Sequence, residues 1–246
     1  MHKLLLAIIL TTLTTGSICN ASNTTTPSAS EILQRTAKTY ATCISYRDTG
    51  TATATTKSKA LDYKSILDFM TVFTRPNQFR FEYNTAKDSI IPTVRHIVWT
   101  SGDTAYWWWT IDSKVTKADS LEMALAAATG VSLGSAHNVP QLLMPNELFG
   151  LKITDIKKPK LLVSETLDGT DCFKISGTGV MDNNFTLWIA KRDYLIRKTV
   201  DKMIYEHTPI TFTITYKPKL NVTIPASDFE SGVLPAPEPP SAETSK

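Results

Sequence analysis

"TRPNQFRFEY", Thr74 to Tyr83, is the stretch on which the fold of this chain turns. Phe79, Phe81 and Tyr83 alternate with Gln78, Arg80 and Glu82, the two-residue period of a strand with one apolar and one polar face. Arg75-Pro76-Asn77 leads straight into it, so a fixed bend carrying a permanent cation introduces an aromatic strand. Strands continue outward on both sides at short intervals. "ISYRDTGTATAT" and "SILDFMTVFT" precede it, and "VRHIVWT" and "TAYWWWTI" follow, joined by the tight turn Ser101-Gly102-Asp103.

Further out the pattern changes and then returns. Ala-, Leu- and Met-rich sequence from Asp119 to Thr129 predicts a helix ended at Gly130, and a second short helix is expected between Val139 and Phe149. The strands resume with "KLLVSETL", "DCFKISGT", "FTLWIA", "LIRKTVDKMIYEH" and "ITFTITY", the last with Phe212, Ile214 and Tyr216 on one face and Thr211, Thr213 and Thr215 on the other. At the other end, Ser28 and Glu31 have capping-box spacing and open a helix to about Cys43, with Ile32, Leu33, Thr36, Ala37 and Tyr40 on its buried side. The expectation is α+β: an N-terminal helix, an antiparallel meander, two inserted helices and more meander. No linker separates the β halves, so one strongly curved sheet is predicted, with helices across its concave face and an apolar cavity between them.

Composition sets the boundaries. Of 246 residues 42% are hydrophobic and 20% charged, which excludes bulk disorder and a multi-span membrane protein. Net charge is +3, from 26 basic and 23 acidic residues, and no basic run is interleaved with aromatics, so nucleic acid is not an expected partner. Residues 1–21 read as a secretory signal, with His2 and Lys3 before an apolar run from Leu4 to Leu13 that is too short to span a bilayer. Cleavage after Ala21 discards Cys19; cleavage before Cys19 would instead give a lipid-modified N-terminus attached to the outer membrane. Gly16-Ser17-Ile18 departs from a Leu-Ala-Gly lipobox, which favours the soluble product. Residues 22–234 then form a single domain, and 235–246 a disordered Pro-rich tail. Cys43 and Cys172 remain as an even pair that forms either a disulfide or two buried thiols.

Several of these segments, taken in order, resemble a known family. "TRPNQFRFEY" followed by "WTSGDTAYWWW" resembles the Arg-Pro-Asn-x-Phe strand and Asp-Gly-x-x-x-Trp hairpin of the LolA-like lipoprotein-sorting proteins, with the turn residues in altered order. "FTLWIAKRDYLIRKTV" is similar to a later hairpin of that family, and "IPASDFE" to its closing segment. The resemblance implies an unclosed half-barrel whose concave face is covered by a helical lid, in an exported, periplasmic protein. It also implies that the position matching the family's arginine, Arg75, hydrogen-bonds to a lid helix from the segment 118–149. The stretch Lys57 to Lys64 and the Pro-rich tail are additions to the family pattern.

Candidate ligand-binding residues are Arg75 together with the aromatic and aliphatic groups Phe79, Phe81, Trp107, Trp109, Leu142 and Met144. Tyr106-Trp107-Trp108-Trp109 places aromatic surface on both faces of one strand, so one face cannot be ordinary solvent: either one pair lines the cavity and the other meets a partner, a lid or a membrane surface, or both pairs are covered by helices and the tail. Gly-x-Ser-x-Gly, His-Glu-x-x-His, a phosphate-binding Gly loop and metal-spaced Cys or His are lacking. The expectation is therefore a non-enzymatic, monomeric carrier of a lipid or acylated protein, without cofactor or metal. The alternative is an envelope sensor or interaction module that uses the same sheet to bind a protein or peptide.

Overall fold

The computed structural model describes residues 26–57, 62–85, 93–144, 152–179 and 182–233; the expected signal, Cys19 and the tail lie outside the described residues. Helix α1 (Ala29–Thr42) starts at a complete capping box. Ser28 accepts a hydrogen bond from the Glu31 amide at 3.3 Å, and the Glu31 carboxylate accepts one from the Ser28 amide at 2.7 Å. Its buried side is Ala29, Ile32, Leu33, Thr36 and Tyr40, the helical spacing expected, with Ala37 half-buried.

Six strands follow: β1 (Ser45–Lys57), β2 (Asp62–Thr74), β3 (Gln78–Thr85), β4 (Arg95–Ser101), β5 (Thr104–Trp109) and β6 (Val115–Ala118). Three helices come next: α2 (Leu121–Thr129), α3 (Ser135–Asn138) and α4 (Pro140–Leu143). Six more strands complete the sheet: β7 (Lys157–Leu167), β8 (Thr170–Thr178), β9 (Asn184–Ala190), β10 (Ile196–Tyr205), β11 (Thr208–Tyr216) and β12 (Lys219–Leu220). All twelve belong to one open antiparallel sheet in the order β6-β5-β4-β3-β2-β1-β11-β10-β9-β8-β7, with β12 added beside β1. This is the α+β half-barrel with lid helices that the sequence implied.

The seam between the two meanders is β1 against β11, where residues 50–56 pair with 210–216. Gly50 sits there for a steric reason. A Cβ at this position would lie 2.1 Å from the Thr215 carbonyl oxygen and 2.4 Å from the Phe69 ring.

One face of the sheet carries all four helices, and here it is called the lid face. The lid-face core joins Phe69, Phe73, Phe79, Phe81 and Tyr83 of one half to Phe173, Ile175, Leu187 and Ile189 of the other, beneath Ile32, Tyr40, Leu125 and Leu142 of the helices. Phe79 and Phe81 are wholly buried, each stabilising the fold by roughly 1.5–3 kcal/mol relative to exposure.

The outer face of β3 is not the solvent face its alternation suggests. Glu82 is only 9% exposed, because a 3₁₀ turn (Ala226–Phe229) and the residues after it lie across β3 and β4. Arg80 donates to the Asp228 carbonyl at 3.1 Å, Arg47 pairs with the Asp228 carboxylate, and Arg95 donates to the Ser231 carbonyl at 3.5 Å. Arg80 and Arg95 both pair with Glu82. Burial pushes the Glu82 carboxyl up, but the hydrogen bond from Arg95 and the two guanidinium charges outweigh it and hold it below its usual range. Beside this strap Trp99 stacks on Tyr106, with ring centroids 5.5 Å apart.

The structure corrects several expectations. Cys43 and Cys172 are free, buried thiols and not a disulfide. Cys43 ends α1 within the lid-face core, whereas Cys172 packs with Trp188 and Ala190 on the outer face, so the sheet itself lies between them. The short helix expected between Val139 and Phe149 is α4, with 145–149 outside the described residues, and α3 before it is an addition to the expected elements. Pro140, which has no N–H to donate, opens α4 instead of continuing α3. β6 was not anticipated, and Ile111, expected to extend β5, is 66% exposed beyond its end.

Candidate functional site

Arg75 stands where β2 ends and the turn to β3 begins, with its peptide bond to Pro76 cis. From there the guanidinium reaches the carbonyl-rich C-terminal ends of two helices. It donates to Tyr40 (3.3 Å), Ala41 (2.6 Å) and Cys43 (2.8 Å) at the end of α1, and to Leu143 (3.2 Å) at the end of α4. Its plane lies over the Phe73 ring, 5.1 Å from the centroid. Helix C-termini leave up to four carbonyls without intrahelical partners and carry partial negative charge, so one fixed fork satisfies both ends and ties them to the sheet. The sequence-derived expectation that Arg75 engages a helix of segment 118–149 is matched by this contact with Leu143.

A cavity of about 490 Å³ lies between the lid and the second half of the sheet. Its lid wall is Ala126, Thr129 and Gly130 at the end of α2, with Gly134, His137 and Asn138 at α3. Its sheet wall is Phe185 of β9 and Asp201 of β10, and Lys152, Ile153, Asp155 and Ile156 close one side. A compartment of about 180 Å³ adjoins it, sharing Thr129, Gly130, Gly134, Asn138, Phe185 and Asp201, and adding Leu133, Thr199, Phe212 and Ile214. The combined space falls within the ~300–1,000 Å³ of small-molecule sites. It exists because the lid presents small residues here. Gly134 also has φ of +86°, a conformation that glycine adopts without strain as it starts α3.

The charges around this space are few. The Asp155 carboxylate accepts a hydrogen bond from the Lys152 amide at 3.0 Å, capping its own turn. Burial holds His137 below its usual pKa, favouring the neutral ring. Asp201 accepts from the Asn183 side chain, and burial raises its carboxyl above the ordinary value despite that bond.

The other sequence-derived candidates lie elsewhere. Phe79, Phe81, Leu142 and Met144 are sealed into the lid-face core, and Trp107 packs against its margin. Trp107 stacks on the His96 ring at 5.9 Å, and Trp109 meets the same ring edge-on at 6.0 Å. His96 is held far down, at about 4, by burial. Helix α2 covers this aromatic group from above β4 and β5. None of these six residues lines the cavity described. The residues missed were Phe185, Asp201 and the small lid positions. The clue was present in "AATGVSLGSAHN", a stretch too poor in bulky side chains to fill the space over a sheet. Among the described residues no group of His, Cys, Asp and Glu is placed to hold a metal ion, and no helix is long and apolar enough to cross a membrane.

No family model and no curated relative matches the sequence. Among solved structures, the chain is similar to the lipoprotein LppX of Mycobacterium tuberculosis, with 14% identity over 80% of this chain and 97% of that one and a TM-score of 0.44. A LolA superfamily protein from Nitrosomonas europaea matches at 12% identity over 85% of this chain and 100% of that one, TM-score 0.34. MucB in complex with MucA, from Pseudomonas aeruginosa, matches at 11% identity over 83% of this chain and 61% of that one, TM-score 0.46. These are partial likenesses, and the fold described above rests on strand order, register and lid contacts.

Proposed function

We propose that this chain is an exported, periplasmic, non-enzymatic carrier that holds an apolar chain of a lipid or acylated ligand between its helical lid and β9–β11. The observation that carries the reading is the cavity of about 490 Å³ under a lid whose last helix is tied to the sheet by Arg75. Transfer of an acyl chain from water is worth about 0.8 kcal/mol per buried methylene, so binding needs apolar wall and access and no reacting group. The secretory pattern of residues 1–21 supports export.

The test is native mass spectrometry of the full chain purified gently from a bacterial envelope, followed by extraction and identification of any released lipid. Ala126→Trp, which fills the lid wall, is the paired variant. A stoichiometric acylated adduct on the wild type that is lost in Ala126→Trp is the expected result. A bare mass for both, together with no uptake of the apolar dye N-phenyl-1-naphthylamine, overturns the carrier and favours the protein- or peptide-binding module.

A further inference from the structure

Across the two joined compartments, Asp201 is the one acidic side chain that lines both, and the smaller compartment holds no other ionisable group. Its neighbours there are apolar, Leu133, Phe185, Phe212 and Ile214, with the neutral Thr129, Asn138 and Thr199 between them. Register explains the placement. Asp201 pairs with Phe185 on one side and Phe212 on the other, so its side chain shares the lid face with both rings and cannot turn to the solvent face. Asn183 donates to Oδ1. A carboxylate set between two phenylalanines is costly unless something pairs with it.

We propose that Asp201 is a ligand-recognition residue that selects amphiphiles whose polar end is a hydrogen-bond donor, an ammonium above all, and disfavours those ending in a carboxylate. The inference rests on the carrier reading of the same cavity and adds the chemistry of the ligand's polar end. An ammonium brings three donors to an acceptor-only group and forms a charge-assisted bond with it. A carboxylate in the same place would face a like charge. Lys152, the one lysine on the cavity wall, lines only the larger compartment, whereas Asp201 and Phe185 also line the smaller one. The chain's net charge of +3 would favour anions, so a preference for amines has to arise locally.

The experiment displaces N-phenyl-1-naphthylamine from the full chain with dodecylamine, dodecanol and dodecanoate, each below its micellar concentration. For the wild type, dodecylamine should bind about tenfold tighter than dodecanoate, with dodecanol between. In Asp201→Asn the ratio of dodecylamine to dodecanoate affinity should fall to within about threefold, because a neutral amide keeps the volume and loses the charge. Asp201→Thr is the second variant, should the amide perturb β10. Equal binding of the three compounds by the wild type overturns the inference and leaves the carrier standing. So does tighter binding of dodecanoate, or an amine preference that survives both variants. If the dye binds nowhere and none of the three chains is taken up, the carrier reading itself fails and the inference falls with it.

Discussion

The two halves of the lid face are built from the same kind of strand and are covered differently. Over β1–β5 the wall is aromatic, with Phe69, Phe73, Phe79, Phe81, Tyr83 and Trp107, and helix α2 settles onto β4 and β5. Over β9–β11 the wall is also apolar, with Phe185, Phe212 and Ile214, but what lies above it is Ala126, Thr129, Gly130 and Gly134. The difference lies in the size of the residues on the lid rather than in the hydrophobicity of the sheet. A half-barrel acquires a core where its lid is bulky and a cavity where its lid is small.

The sharpest way to break this comparison is to truncate one phenylalanine in each half. Phe81→Ala should cost about 4 kcal/mol in urea unfolding, since a cavity opens in a closed core. Phe185→Ala should cost about half as much, because its ring already borders empty space, and should also weaken dye uptake. Equal costs would mean the second half is as tightly filled as the first.

Arg75→Leu tests what holds the lid over both halves. Removing a charged donor from four carbonyls should lower stability by about 3 kcal/mol. Amide exchange should quicken first at the end of α1 and in α4; a uniform loss of protection would mean that Arg75 stabilises the sheet and not the lid.

Asp48 sharpens the comparison through pH. It is a buried carboxylate in the closed half, accepting from Tyr46 Oη at 2.6 Å and from the Thr71 amide at 2.9 Å. Burial raises its pKa from 3.8 to about 6, the two hydrogen bonds opposing. A raised folded-state pKa means the native protein binds the proton more tightly than the unfolded chain. The associated stabilisation is present in full below about pH 4 and is lost as pH rises through about 6, on the order of 2–3 kcal/mol. Unfolding free energies of wild type and Asp48→Asn measured from pH 4 to 7 should differ by a gap that changes by this amount. A constant gap would show that Asp48 titrates normally. The smallest effect is expected on the exposed edge strand, where Val163, 87% exposed, should tolerate Thr with a change under about 0.5 kcal/mol.

Much of this molecule was legible in its sequence because the signals were local. Ser28 and Glu31 announce α1 within four residues, and alternation in Phe79, Phe81 and Tyr83 fixes which way β3 faces. Arg75 was found by resemblance, which implied the contact with a lid helix that it makes at Leu143 of α4. What escaped depended on register between distant strands. That Asp201 stands between Phe185 and Phe212 is set by two strand pairings that composition does not reveal. Glu82 and Arg80 read as a solvent face because nothing near them in sequence shows that residues 226–231 return to cover them. The separation of Cys43 from Cys172 is likewise a matter of which face each occupies, which parity alone does not supply across so many strands.

The seam between β1 and β11 has a consequence for how the protein is made. β1 is among the first strands to be synthesised and β11 among the last, so β1 keeps one edge bare until nearly the whole chain is available. The first meander can form its hairpins early, yet the sheet becomes continuous only when residues 210–216 arrive. Long-range pairing of this kind makes folding slow and leaves an aggregation-prone edge in the interim. A chain cut short before β11 would carry two such edges, on β1 and β10, and would meet its own copies as readily as itself.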